Sequence, residues 1–396
     1  MNQETPFSWK KIAVPAYGPS VLFGIGNGAI LPIVALTAID LGASSALSGL
    51  IVALIGLGSL LSNLPGALVI SRFGERRSLL GASLMSVLAM VLCILATDPW
   101  VLAVGVSMFG VSTSVFYLAR QTYLIEMVPF ELRARALATL GGAQRIGSFA
   151  GPFISAAAMH AFGLDGAYAV AICVLFLGGI ICYYMPELPV PARPAGHGPM
   201  AKPRLTRLAV EHRKVFLTLG LGAACVAAMR AARQIAIPLW AVNIGLSPSV
   251  TAVVFGCVSA VDMLVFYPAG KIMDTYGRVW VALPCALLLG LSFIFIPSTS
   301  QLWSFVIVCL LMGFGNGIGS GLVMTLGADA APRNGRTEFI GLWRLIADIG
   351  NSAGPFVVSG ITAWVSLAAG ITLTGVFGVL AAGIFWWCLP HGKRQP

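Results

Sequence analysis

Apolar residues fall along this chain in twelve long blocks separated by short polar stretches. The blocks cover approximately 14–40, 46–70, 78–97, 100–127, 138–162 and 166–186, then 214–243, 249–270, 279–297, 301–328, 338–364 and 366–389. A membrane-crossing helix needs roughly 20 predominantly apolar residues, and each block is near or above that length. Strands of a membrane barrel would instead alternate over short segments, so the blocks predict helices. The Pro-rich, basic stretch ELPVPARPAGHGPMAKPRLTRLAVEHR at 187–213 is the only long connection. It predicts an N-terminal six-helix half (1–190), a cytoplasmic central loop (191–213) and a C-terminal six-helix half (214–396). Met1 to Lys11 lacks a cleavage signature, so the first block reads as a retained helix, not a removed signal peptide.

Composition makes the bilayer the necessary solvent. Of 396 residues, 58% are hydrophobic and only 10% charged, against about 25% charged in soluble domains. A soluble enzyme is excluded. The 46 glycines and 23 prolines would harm a soluble helical protein, but membrane helices tolerate them and use them for close packing. Cys93, Cys173, Cys182, Cys225, Cys257, Cys285, Cys309 and Cys388 lie inside apolar blocks with no CxxC pair, which argues against disulfides and metal sites. No GxxxxGK[ST] sequence for ATP occurs.

The formal net charge of +10 would suit nucleic acid, but its placement does not. Lys10, Lys11, Arg72, Arg76, Arg77, Arg133, Arg135, the six basic residues between Arg193 and Lys214, and Lys271, Arg278, Arg333, Arg336, Lys393 and Arg394 all fall on alternate connections and the two ends. The opposite connections hold only Asp40, Asp98 and Asp165. By the positive-inside rule both termini are cytoplasmic, in the cell's inner membrane. The basic excess is a topology signal, and no nucleic-acid partner is expected.

The chain repeats itself at an offset of 203 residues. Gly42 matches Gly245, Gly74 matches Gly277, Gly110 matches Gly313 and Pro129 matches Pro332; Ile146-Gly147-x-x-x-Gly151-Pro152-Phe153 matches Ile349-Gly350-x-x-x-Gly354-Pro355-Phe356. Six helices separate the partners, an even number, so the two pseudo-symmetric halves are parallel. Such halves place a site near the midplane and favour alternating access.

Gly270-Lys-Ile-Met-Asp274-Thr-Tyr-Gly277-Arg278 resembles the G-x-x-x-D-x-x-G-R loop signature of the major facilitator superfamily. The equivalent loop after the second block has Ser71, Gly74, Arg76 and Arg77, with Ser71 where the family carries aspartate. An acid there would favour a neighbouring helix N-terminus; Ser71 can accept hydrogen bonds without the charge. Gly147-x-x-x-Gly151-Pro152 resembles the signature of the exporter, or drug/proton antiporter, branch. The resemblance covers the whole chain and implies an all-α membrane protein with 12 transmembrane helices in two parallel pseudo-symmetric six-helix halves. It further implies that helices 1, 4, 7 and 10 line the cavity and that helix 5 packs across from helix 8.

Ionisable residues inside a span are costly and are functional candidates by default. Here they are Arg120, Arg145, Arg230, Arg233, Arg344, Asp262 and Asp348. At 1.5 Å per residue, Arg120, Arg145, Asp262 and Arg344 lie roughly 9–12 Å from the cytoplasmic ends and Asp348 roughly 15 Å. They form a candidate belt for proton coupling and gating. Arg344 and Asp348, four apart, share a helix face, and equal depth predicts an Arg145–Asp262 pair between the halves. Arg230, Arg233 and Gln234 lie near the middle of helix 7. Asn27, five residues before Pro32 as Arg233 is before Pro238, is read as its counterpart. With Tyr117 and Asn316 these are the candidate substrate ligands. Five arginines against two deep acids favour an anionic cargo, guanidinium being suited to carboxylate, unless Glu126, Asp329, Glu338 and backbone carbonyls neutralise the excess. Phe109, Phe116, Tyr117, Trp240, Phe266 and Trp343 are candidate cavity-lining aromatics.

The residues therefore point to a monomeric secondary transporter of a small molecule, with no cofactor beyond a proton gradient as energy source. Export of organic or amphipathic molecules in exchange for protons is the leading reading. Transport of a specific organic anion through Arg230 and Arg233, or of a lipid, stands as the alternative. Nothing supports hydrolysis or redox chemistry, and no added domain supports a receptor.

Overall fold

The structure is a computed structural model that describes residues 9–129, 132–187, 205–332 and 336–389. Its first half contains α1 (Trp9–Ile30, continued after a break as Val34–Asp40), α2 (Ser45–Phe73), α3 (Glu75–Ile94), α4 (Pro99–Met127), α5 (Arg133–Phe162) and α6 (Asp165–Tyr183). The second half contains α7 (Arg213–Asn243, with a π-helical turn at Phe216–Gly220), α8 (Pro248–Tyr276), α9 (Val279–Phe295), α10 (Leu302–Ile318, then Leu322–Ala330), α11 (Arg336–Trp364) and α12 (Leu367–Cys388). Ten of these are long and apolar enough to cross a membrane among the described residues. The other two, α5 and α11, carry Gln144, Arg145 and His160 and Glu338, Arg344 and Asp348 respectively. No strand occurs among the described residues.

Helix ends mostly agree with the apolar blocks, with one consequential exception. Apolarity fades at Lys271, yet the backbone continues as helix to Tyr276. That puts Asp262 at the midpoint of α8, deeper than a count from residue 270 gives. Part of the stretch read as central loop is also helical: Leu205–Glu211 forms a short helix, with Leu208 buried, that packs on α11. Two helices are interrupted. Pro32, which cannot donate to the helical ladder, sits in the break of α1, and Gly319, Ser320 and Gly321 make the break in α10.

The chain divides into two compact units, residues 1–34 with 54–191 and residues 35–53 with 192–396. In the first, α1 packs on α5 and α6, and α3 on α4 and α6; in the second, α7 packs on α11 and α12, and α9 on α10 and α12. These are the same pairings six helices apart, and the sequence repeat reports them atom by atom. A Cβ on Gly147 or Gly151 of α5 would run into the carbonyls of Val21 or Ile25 of α1; on Gly350 or Gly354 of α11, into those of Ala224 or Ala228 of α7. Every residue in the second set is the first plus 203. Likewise Gly110 of α4 lies on the Ile55 carbonyl, and Gly313 of α10 on that of Val258. The glycine–proline signature of α5 is thus a helix-packing device used once in each half. The loop glycines also recur as left-handed residues, Gly42 with φ 87° and Gly245 with 78°, Gly74 with 81° and Gly277 with 105°.

Candidate functional site

Close backbone approach assembles a charged cluster in the second half. Gly317 of α10 lies so near α8 that a Cβ there would sit 2.7 Å from the Asp262 carbonyl, and this brings the preceding residue, Asn316, onto the Asp262 side chain. Asn316 Nδ2 donates to Asp262 Oδ2 at 2.5 Å. Arg233 Nη2, from α7, donates to the same oxygen at 3.4 Å. The Arg233 and Asp262 side chains are only 14% and 15% exposed. Asp262 Oδ1 is buried without a hydrogen-bond partner in the protein. One turn from Arg233, Arg230 donates from Nη2 to the Asn316 backbone carbonyl at 3.4 Å, while its buried Nε finds no acceptor. The Arg230 guanidinium and the Cys285 thiol both press against Gly319 in the break of α10. One guanidinium, that of Arg233, thus holds the carboxylate, and the second, that of Arg230, reaches the backbone of the asparagine bonded to it.

The first half holds a cation with no carboxylate at all among the described residues. Gly24 lets α1 lie against the backbone of Gln144 on α5. Arg120 of α4 donates from Nη2 to Gln144 Oε1, and Gln144 Nε2 donates to the Tyr117 hydroxyl. The Arg120 guanidinium lies over the Tyr117 ring, 4.5 Å from its centroid. Arg120 Nε and Nη1 are buried and find no acceptor in the protein. Behind Tyr117, Phe23 stacks on Phe116 at 4.0 Å and on Phe109 at 6.0 Å.

Against these clusters the sequence-derived assignments separate. Asp262 takes Arg233 and Asn316 of its own half as partners. Arg145 is half-buried on α5. Arg344 and Asp348 do share a face, but at 4.0 Å and with side chains 68% and 37% exposed they form a loose pair. Asn27 and Gln234 are half-buried on α1 and α7. The packing register fixes Asn27 as the counterpart of Arg230, since Ile25 and Ala228 occupy equivalent contacts; counting from proline had paired it with Arg233. Of the acids expected to neutralise the arginines, Glu126 is exposed and Asp329 is engaged by Arg278. The Glu338 side chain lies outside the described residues. Most of the aromatics are packing groups. Phe109 and Phe116 are buried in the stack, Trp240 donates to Thr299 Oγ1 at 3.0 Å, and Trp343 donates to the Val323 carbonyl at 2.8 Å. Gln144, Cys285 and Phe23 were not singled out from the sequence; an amide next to Arg145 inside an apolar block was the available signal for Gln144.

The sequence profile of the Major Facilitator Superfamily matches residues 20–355 and again 219–396. The chain belongs to the major facilitator superfamily. Like other members it is a membrane transporter of small molecules and not an enzyme. It is 22% identical over 373 residues to a Na(+), Li(+), K(+)/H(+) antiporter of Planococcus maritimus, covering 86% of this chain and 87% of that one. It is 22% identical over 399 residues to a multi-drug resistance efflux pump PmrA homolog of Lactococcus lactis, covering 98% and 96%. Among solved structures, the nucleoside transporter NupG superposes with a TM-score of 0.77 at 11% identity, over 94% of this chain and 98% of that chain; this shows the fold.

The two superfamily loop signatures are built differently. After α8, Gly277 turns the chain and Arg278 donates from Nε to Asp329 Oδ2 of α10 at 2.9 Å and from Nη1 to the Met273 carbonyl at 2.8 Å. The Asp274 side chain lies outside the described residues. After α2, Ser71 donates back to the Leu68 carbonyl of its own helix at 2.9 Å. Gly74 keeps the turn, Arg76 donates to the Tyr183 carbonyl on α6, and Arg77 pairs with Glu187 at 3.2 Å. That last pair is exposed at both ends, 68% and 55%, and exposed ion pairs contribute about 0.2–1 kcal/mol. Glu187→Gln is therefore expected to leave the thermal unfolding midpoint of the purified protein nearly unchanged.

Proposed function

We propose that this superfamily member is a proton-coupled exporter of small organic molecules working by alternating access, set in the inner membrane with both termini in the cytoplasm. The single observation behind proton coupling is Asp262. It is an acid at the centre of a span, holding Arg233 and Asn316 through one oxygen and leaving the other buried and unoccupied by any donor. An ionised Asp262 ties α7 and α10 to α8. A proton on the carboxyl removes the charge that holds Arg233, so the two protonation states favour different arrangements of the three helices. A gradient that changes the occupancy of that proton then shifts the conformational equilibrium. The antiporter and efflux-pump names of the relatives support the exporter direction, and the basic connections support the topology.

The test is efflux from proteoliposomes under an imposed pH gradient, screened with cationic dyes, neutral compounds and organic acids. Asp262→Asn keeps the shape and an acceptor oxygen but cannot change charge. It is expected to lower gradient-driven transport at least about tenfold, equivalent to 1.4 kcal/mol, while exchange without a gradient persists. Gradient-driven transport at the wild-type rate in Asp262→Asn would end the proton-coupling reading.

A further inference from the structure

We propose that Arg120 anchors a binding site for organic carboxylates in the first half, so that the cargo is, or carries, an organic acid. The inference rests on the transporter reading and deepens it by naming a substrate class. Among the arginines inside the helices, Arg233 has Asp262 as counter-ion, and Arg230 lies beside that same carboxylate through Asn316. Arg120 has no such compensation among the described residues. Glu126, the acid on its own helix, is exposed and makes no ion pair with it.

The geometry of the guanidinium points to a two-oxygen anion. Only Nη2 is engaged, by one acceptor, Gln144 Oε1, whereas Nε and Nη1 are buried without an acceptor. Nη2 carries two protons, so whichever one Gln144 takes, one bidentate edge of the fork remains available, Nε with Nη2 or Nη1 with Nη2. A planar carboxylate matches that edge. A third donor stands next to it. The Tyr117 hydroxyl accepts from Gln144 Nε2, which leaves its own O–H proton to give. Beyond Arg120 toward the end of α4, Leu124 and Val128 form a buried apolar cluster with Ala136 and Leu140 of α5, with Tyr17 packed against it. A buried donor lacking an acceptor costs about 1–3 kcal/mol, and an anion on either edge removes that cost for Nε or Nη1 while taking the second Nη2 proton.

The test is equilibrium binding to the full-length protein in nanodiscs, with no pH gradient, using benzoate, octanoate, the neutral analogue benzamide, and chloride. The carboxylates are expected to bind and benzamide not to. Arg120→Gln is expected to weaken carboxylate binding at least about tenfold, the loss of one charge-assisted hydrogen bond. Arg120→Lys retains the charge without the fork and is expected to fall between the two. Tyr117→Phe is expected to weaken binding severalfold, and Arg77→Gln, a surface charge deletion, not at all. Carboxylates binding no better than benzamide, equal competition by chloride, or unchanged affinity in both Arg120→Lys and Tyr117→Phe would overturn the assignment. Because no gradient is applied and Asp262 is intact, such a failure leaves the proton-coupling reading standing.

Discussion

Gly151→Leu and Gly354→Leu are each expected to leave almost no folded transporter, read as loss of the monodisperse peak in size-exclusion chromatography after extraction. At both positions the neighbour is backbone, the Ile25 carbonyl of α1 or the Ala228 carbonyl of α7. A side chain cannot be accommodated by a rotamer change; the helices must separate. Overpacking among side chains commonly costs about 1–3 kcal/mol, and prising apart two helix backbones lies at or above the top of that range. Without a hydrophobic driving force between helices in lipid, close packing is the main attraction available to replace. Gly360→Ala on the same helix α11 meets nothing within 4 Å. It should be neutral or slightly stabilising, because Ala exceeds Gly in helix propensity by about 1 kcal/mol. Equal behaviour of Gly354→Leu and Gly360→Ala would refute the packing account of the repeated motif.

This contrast also explains what could be read from the sequence. Glycines at a fixed offset record places where one backbone must touch another, and that requirement is local and written in residue type. That two helix backbones meet closely in each half was therefore legible in Gly147, Gly151, Gly350 and Gly354, whereas the identity of the facing helix was not. The charged clusters were not visible in the same way. Which cation meets Asp262 depends on the rotation and packing of three helices, and even the end of α8 is not marked by apolarity, which stops at Lys271 while the helical ladder runs on to Tyr276. The pairing of Asn27 with Arg233 failed for a related reason: Pro32 and Pro238 interrupt or bend helices but do not set the packing register, which the glycines do. Cys285 gave no warning, because a thiol acquires meaning only from the guanidinium placed against it.

Removing Asp262 is expected to do more damage than removing Asp262 and Arg233 together. In Asp262→Ala, Arg230 and Arg233 stand one turn apart on α7 with the carboxylate that holds Arg233 gone, and the Asn316 side chain loses its acceptor. Breaking a buried pair from one side typically costs about 3–5 kcal/mol, most of it from the charge left behind. Arg233→Ala leaves a less severe defect, since Asp262 keeps the Asn316 bond and the nearby positive charge of Arg230. Asp262→Ala with Arg233→Ala returns the cluster to the same net charge as the wild type, with a single guanidinium and no acid. The unfolding midpoints in nanodiscs should therefore rank wild type highest, Asp262→Ala lowest, and the double variant above Asp262→Ala. Additive losses would mean that the two side chains do not interact at 3.4 Å as a charge pair. The same ranking bears on mechanism. If neutralising one acid destabilises the held arrangement of α7, α8 and α10 by several kcal/mol, protonating that acid does the same, which is the size of bias needed to move a two-state equilibrium from one side to the other.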